Sequence, residues 1–228
     1  MQKLIYEGKT KNVFENADGT YTLKLKDDAT GKDGVFDPGE NAVGLSIEGL
    51  GRESLKITKY FFEKVAAEGI PTHYLGCDLD AVTMDVIPAT VFGKGVEFVC
   101  RKYAGGSFVK RYGAYATAGM DLDYLVEVTL KDDERCDPPI TKDALERLGI
   151  MTKDEFKICK KLTKKIAKIL YNDLNLKGLQ LHDMKFEFGK SAKTSEIMLI
   201  DEISGGCMRV FKNGEIIPPM ELGKLILG

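Results

Sequence analysis

The chain has 228 residues, with 33 Lys+Arg against 35 Asp+Glu and a formal net charge of -2, so it lacks the cationic excess of a nucleic-acid-binding domain. Its 43% hydrophobic and 30% charged residues are ordinary for a globular protein, and no apolar stretch has the length of a membrane span or a signal peptide. Glycine alone is in surplus: there are 24, where average usage of about 7% gives roughly 16.

Residues 2–7, 10–15 and 20–26 are predicted strands, the last two separated by the turn Asn16-Ala17-Asp18-Gly19. This antiparallel opening differs from the strand–helix alternation of a dinucleotide-binding domain. Residues 27–51, rich in Asp and Gly and without periodicity, are expected to form a long, mobile, functional loop. A helix over 52–68 stops at Gly69, with Pro71 beyond it, and a strand at about 81–87 ends at Pro88. Past Pro88 the expected elements are strands 96–102 and 124–130, short helices 107–112 and 141–148, and a long helix 153–174 opened by the capping box of Thr152 and Glu155. That long helix carries the apolar stripe Phe156, Cys159, Leu162, Ile166, Ile169 and Leu170. Strands 179–188 and 196–203 follow, joined by a polar loop at 189–195, and a helix over 220–227 closes the chain. The expected fold class is α+β in two lobes: an antiparallel sheet over 1–87 and a larger α+β lobe over 88–228, with ligands in the cleft between them.

Cys77, Cys100, Cys136, Cys159 and Cys207 form no CxxC pair and are odd in number, the usage of reduced thiols in a cytoplasmic protein. Two histidines, His73 and His182, exclude a His-rich metal site, and both are expected to be structural. A metal would therefore be a hard cation on carboxylates, Mg²⁺ or Mn²⁺.

The most informative segment is His182-Asp183-Met184-Lys185-Phe186-Glu187-Phe188. Alternation along a strand projects Asp183, Lys185 and Glu187 to one face and Met184, Phe186 and Phe188 to the core. Glu196–Ile200 runs into Asp201-Glu202, so a hairpin would bring Asp201 to Glu187 as a carboxylate pair for one Mg²⁺. The competing reading is a surface salt-bridge ladder; the unbroken apolar run before Asp201 favours a buried site. A second segment, Arg101 to Arg111, sets paired glycines and Ser107, a candidate helix cap, beside Arg101, a plausible phosphate cradle. Ile203–Arg209 repeats that theme of glycine pair and arginine. Tyr6-Glu7-Gly8-Lys9-Thr10-Lys11 is not a Walker A loop, but a Gly-Lys turn between strands can fold over ATP phosphates.

Together these segments resemble the SAICAR synthetase (phosphoribosylaminoimidazole-succinocarboxamide synthase) family. The matching stretches are YEGKTK at 6–11, KDDATG at 26–31, EGIPTH at 68–73, RKYAGGSFVKR at 101–111, LKDDERCDP at 130–138, GLQLHDMKFEFG at 178–189 and LIDEISGGCMR at 199–209. The resemblance implies a ligase that joins L-aspartate to carboxyaminoimidazole ribonucleotide at the expense of ATP, through an acyl phosphate. It implies an N-terminal sheet related to the ATP lobe of kinases. It places Lys9, Lys11 and Lys131 at ATP, with the adenine around Asp85; Glu187 and Asp201 at Mg²⁺; Arg101, Ser107 and Arg209 at the ribonucleotide phosphate; and Asp183 and Lys185 at the reacting end. L-Aspartate is expected near Asp27–Thr30. No nucleic acid or membrane partner is implied, and a homodimer is the assembly to test for.

The chain departs from the family in two places. Ser204-Gly205-Gly206 stands where many members have Ser-Pro-Asp, and 89–95 is an extension before Arg101. The alternatives are a small-molecule kinase that stops at phosphoryl transfer and a non-catalytic nucleotide-binding module; retention of both Glu187 and Asp201 argues against the second.

Overall fold

The computed structural model describes residues 2–32, 35–36 and 43–228. β1 (Lys3–Glu7), β2 (Lys11–Glu15) and β3 (Tyr21–Leu25) form an antiparallel meander. Gly19, at φ +79°, closes the β2–β3 turn with its N–H on the Asn16 carbonyl, a conformation for which glycine has no steric cost.

The predicted loop at 27–51 is corrected in part. β4 (Asp28–Lys32), β5 (Val35–Phe36) and β6 (Val43–Ser46) form a small sheet, while 33–34 and 37–42 lie outside the described residues. Helix α1 (Leu50–Ala67) begins two residues before the expected start. The reason is non-local. The Asp27 carboxylate accepts the Gly49 and Gly51 N–H groups at 3.0 and 2.9 Å, so a residue far upstream satisfies donors that a cap normally takes. Gly51 is required there, since a Cβ would lie 2.8 Å from the Lys26 carbonyl oxygen.

β7 (Tyr74–Asp78), which the sequence reading missed, and β8 (Thr83–Val86) complete a five-stranded sheet of order β1-β2-β3-β8-β7. β9 (Ala89–Val91), β10 (Val96–Tyr103), helix α2 (Gly106–Tyr112), β11 (Asp121–Leu130), helix α3 (Lys142–Arg147) and helix α4 (Lys153–Leu176) follow. The capping box of α4 is present: Thr152 Oγ1 accepts the Glu155 N–H at 3.2 Å and Glu155 accepts the Thr152 N–H at 2.8 Å. Then come β12 (Gln180–Ser191), β13 (Ile197–Ile200), β14 (Met208–Lys212), β15 (Glu215–Ile216) and helix α5 (Pro219–Leu227). The expected polar loop at 189–195 is shorter, because Gly189–Ser191 remain in β12 and pair with β9.

The second sheet has seven strands, in the order β11-β10-β12-β14-β15, with β9 and β13 also on β12. Its inner face meets α4, and Phe98, Phe186 and Phe188 pack with Cys159, Ile166 and Leu170. Burying each phenyl ring contributes on the order of 2–3 kcal/mol, so this wall is rigid. Helix α1 falls within the expected N-terminal lobe, yet it delivers Ile57, Phe61, Phe62 and Val65 into this larger core. Among the described residues no helix is long and apolar enough to cross a membrane.

Candidate active site

β12 is the spine of the site. Its alternation holds: Met184, Phe186 and Phe188 are buried in the core, and Asp183, Lys185 and Glu187 share the opposite face. Register supplies their neighbours. On one side, β10 sets Arg101 opposite Asp183 and Glu97 opposite Glu187; on the other, β14 sets Arg209 opposite Asp183, and β13 ends at Ile200 opposite Glu187. Asp201 then leaves the strand at φ +68°, a left-handed conformation uncommon for a residue with a side chain.

At the Glu187 end lies a cavity of ≈ 340 Å³, walled by the β1–β2 turn, the start of the 131–137 loop, and β12 with Asp201. Its charges interlock. Lys11 bonds the Asp201 carboxylate and lies 3.4 Å from Glu202; Lys131 reaches Glu187 at 2.6 Å; Lys185 reaches Glu97 at 2.8 Å; and Lys9 reaches Asp133 at 2.6 Å. Gly8 makes the turn tight enough for this, since a Cβ there would meet the Lys11 carbonyl oxygen at 2.8 Å. Burial, followed by repulsion from Asp201, pushes the Glu187 carboxyl up to about 7 against the pull of Lys131. Burial would raise Asp201 too, but Lys11 and Lys131 hold it well below the usual carboxylate range. Lys11 shows the converse: burial disfavours its charge, and Asp201 with Glu202 more than restores it, leaving its pKa raised.

At the Asp183 end Arg101 and Arg209 face the Asp183 carboxylate, and Arg111 joins the cluster through Glu127, donating to both its oxygens at 2.7 Å. Arg209 donates to both Asp183 oxygens at 2.9 and 3.0 Å. Arg101, only 3% exposed, donates Nε–H to Glu127 at 2.6 Å and Nη2–H to Ser107 Oγ at 3.1 Å. Its buried Nη1 has no hydrogen-bond partner among the described residues, the Asp183 carboxylate being 3.6 Å away. Such an orphaned charged donor is costly, and an anion would satisfy it. Gly106, at φ +50°, lies against Arg209: a Cβ would come within 2.6 Å of the guanidinium. Ser107 does not cap α2, whose N-cap is Gly105; it sits one residue inside the helix and holds Arg101 instead.

The comparisons now bear on this geometry. The SAICAR synthetase family model matches residues 4–221. A phosphoribosylaminoimidazole-succinocarboxamide synthase of Clostridium tetani is 56% identical, over 98% of this chain and 99% of its own. One from Thermotoga maritima is 38% identical, over 92% and 86%. A solved SAICAR synthetase (type-2) in complex with ADP superposes with a TM-score of 0.85 at 29% identity, covering 98% of this chain and 97% of that one. The chain belongs to the SAICAR synthetase family. It is an ATP-dependent ligase of purine biosynthesis with an α+β fold, and these relatives do not favour a kinase that stops at phosphoryl transfer.

Of the residues that the resemblance to SAICAR synthetases singles out, Lys9, Lys11, Lys131, Lys185, Glu187 and Asp201 line the cavity. Arg101, Ser107, Asp183 and Arg209 form the second cluster. Asp85 joins neither: it is exposed on β8, where it accepts the Thr22 hydroxyl. Sequence reasoning missed Glu97 and Glu127, and named Glu202 beside Asp201 without a role of its own. Glu97 left a signal, since a lone carboxylate in the apolar run Val96–Cys100 needs a buried cation. His182 is packing, stacked on Phe211 with ring centres 3.9 Å apart. His73 is buried, and its ring nitrogen lies 3.0 Å from the Asp201 carbonyl oxygen; desolvation lowers its pKa to about 4, so the ring is neutral.

Proposed function

We propose that the chain joins L-aspartate to carboxyaminoimidazole ribonucleotide in two steps along the β12 face. A carboxylate oxygen of the ribonucleotide attacks the γ-phosphorus of ATP, the bond to the β–γ bridging oxygen breaks, and ADP leaves. The aspartate amine then attacks the resulting acyl carbon, the carbon–oxygen bond to phosphate breaks, and the amine proton is lost to yield the amide and inorganic phosphate. The observation that carries this reading is the single strand face of Asp183, Lys185 and Glu187, which links an anion-demanding arginine cluster to a cavity of lysines and carboxylates.

In this reading Arg101, Ser107 and Arg209 grip the 5′-phosphate, an assignment supported by the orphaned Arg101 Nη1. Asp183 and Lys185 face the imidazole ribonucleotide, the Lys185 ammonium offsetting negative charge as two anionic reactants approach. Lys9, Lys11 and Lys131 bind ATP phosphates by exchanging their present carboxylate partners for phosphate oxygens. An adenine position near Asp85 rests on the family resemblance alone. A smaller adjoining cavity of ≈ 50 Å³ lies at residues 27–30, where L-aspartate is placed; Lys26, Thr30 and Ser54 on its wall could hold a carboxylate, while Asp28 and Glu202 there suit the amine.

The donor set suits Mg²⁺. Among the described residues no group of three or more His, Cys, Asp or Glu side chains forms a metal cage, and Mg²⁺ characteristically takes only one or two carboxylates, with substrate phosphates and water completing its shell. Glu187 and Asp201 would hold it, their mutual repulsion marking a surplus of buried negative charge; the metal would neutralise phosphate charge during transfer. We further propose that residues 1–87 serve ATP and 88–228 the ribonucleotide and metal, in a homodimer of the cytoplasm. Five unpaired cysteines support that last setting.

The test is an omission assay with ATP, Mg²⁺, carboxyaminoimidazole ribonucleotide and L-aspartate. Succinocarboxamide is expected only when all four are present; ADP release with no aspartate incorporated would instead indicate a kinase.

A further inference from the structure

Asp201 delivers its carboxylate to the cavity from a left-handed turn at φ +68°, a backbone conformation uncommon for a residue with a side chain and kept where its surroundings hold it. One contact enforces it from outside the turn. The His73 Nε2 lies 3.0 Å from the Asp201 carbonyl oxygen. A carbonyl oxygen only accepts, so Nε2 carries the proton. The ring itself has little freedom. His73 is 4% exposed and packs against Phe62 with ring centres 5.5 Å apart. Its backbone N–H donates to the Leu199 carbonyl at 2.9 Å, and its own carbonyl accepts the Ile87 N–H at 2.7 Å. Leu199 N–H returns to the Pro71 carbonyl at 2.9 Å, so Pro71–His73 lies as a parallel bridge along β13, two residues before Asp201.

We propose that His73 is a positioning residue: its Nε2–H clamps the Asp201 carbonyl, fixes the left-handed turn, and so aims the Asp201 carboxylate at the cavity. The clamp also ties that carboxylate to the end of β8, because Ile87 hangs on the same histidine. This inference rests on the assignment of Asp201 to the metal–nucleotide site.

Mn²⁺ binding to the ADP-loaded full-length chain, followed by electron paramagnetic resonance, tests both together. Asp201→Asn is expected to weaken Mn²⁺ at least tenfold. His73→Leu, which keeps the bulk and loses the donor, is expected to weaken it about tenfold, while His73→Gln, whose amide nitrogen takes the place of Nε2, stays within about threefold of wild type. Wild-type affinity in His73→Leu beside a defective Asp201→Asn overturns the clamp and leaves the metal assignment standing; wild-type affinity in Asp201→Asn overturns both. Nitrogen-15 NMR of the wild-type protein checks the same point without any variant. The Nε2–H tautomer of His73 is expected, and the Nδ1–H tautomer contradicts the clamp.

Discussion

The two ends of the β12 face solve opposite electrostatic problems. At the cavity end Lys11, Lys131 and Lys185 each hold a carboxylate, so these cations are already paired before any ligand arrives. At the arginine end a buried guanidinium nitrogen is left without a hydrogen bond, and the side chains around it are already fixed by Glu127, Ser107 and Asp183. In the proposed reading the first end would exchange its ion pairs for phosphates and metal. The second also holds ion pairs, Arg101 on Glu127 and Arg209 on Asp183, but its side chains are already oriented, so it would act as a preformed socket. Groups that exchange partners during a reaction govern turnover, whereas preformed contacts serve ground and transition states alike and govern affinity. The cavity should therefore carry kcat and pH sensitivity, and the arginine cluster KM.

The strongest break of that contrast is Lys185→Ala or Asp201→Ala. Each is expected to lower kcat by roughly a thousandfold or more, as losing a charge aimed at a transition state does. Steady-state kinetics with circular dichroism decide it, and a folded variant of either kind turning over at the wild-type rate would refute the cavity assignment. Next in size, Arg209→Ala should raise KM for the ribonucleotide about 10- to 100-fold with kcat within a few fold. Gly106→Ala should shift the same constant, by about tenfold, through a different cause: its Cβ would lie within 2.6 Å of the Arg209 guanidinium. If either variant changed kcat alone, the socket picture would fail.

The most gradual effect is with pH. The Glu187 carboxyl, raised to about 7, must lose its proton to bind a cation. Mn²⁺ affinity should therefore climb about tenfold per unit as pH rises toward 7 and flatten above it. Folding stability moves the other way. Between the ordinary 4.5 and the folded value of about 7, the native state holds the extra proton, so the contribution of Glu187 is complete at low pH and is lost as pH rises through that window. Calorimetric titrations from pH 5.5 to 8.5 measure the affinity; a flat profile would show that Glu187 is ionised throughout.

What the sequence disclosed was local. Period-two alternation places Asp183, Lys185 and Glu187 on one face, and the apolar run before Asp201 foretells the β12–β13 hairpin. What it concealed depends on pairings between distant segments. Glu97 finds Lys185 only because β10 lies beside β12, and Lys11 finds Asp201 across the whole chain. Asp27 sets the start of α1 from outside the helix. β7 escaped because it is an edge strand interrupted by Gly76, without the alternation that a half-buried strand displays. Ser107 looked like a cap by position, but the guanidinium of Arg101 claims its hydroxyl.

β12 also acts as a gauge. From Asp183 to Glu187 is four residues, and at roughly 3.3 Å per residue an extended strand fixes about 13 Å between the socket and the cavity. On the proposed site assignment a molecule would be selected by its length as well as its charge. A nucleoside without its phosphate would reach one end only, and a nucleotide with a longer tail would overshoot. The graduation cannot be altered by small steps: inserting one residue in the strand would turn every mark beyond it to the opposite face and bury the scale in the core.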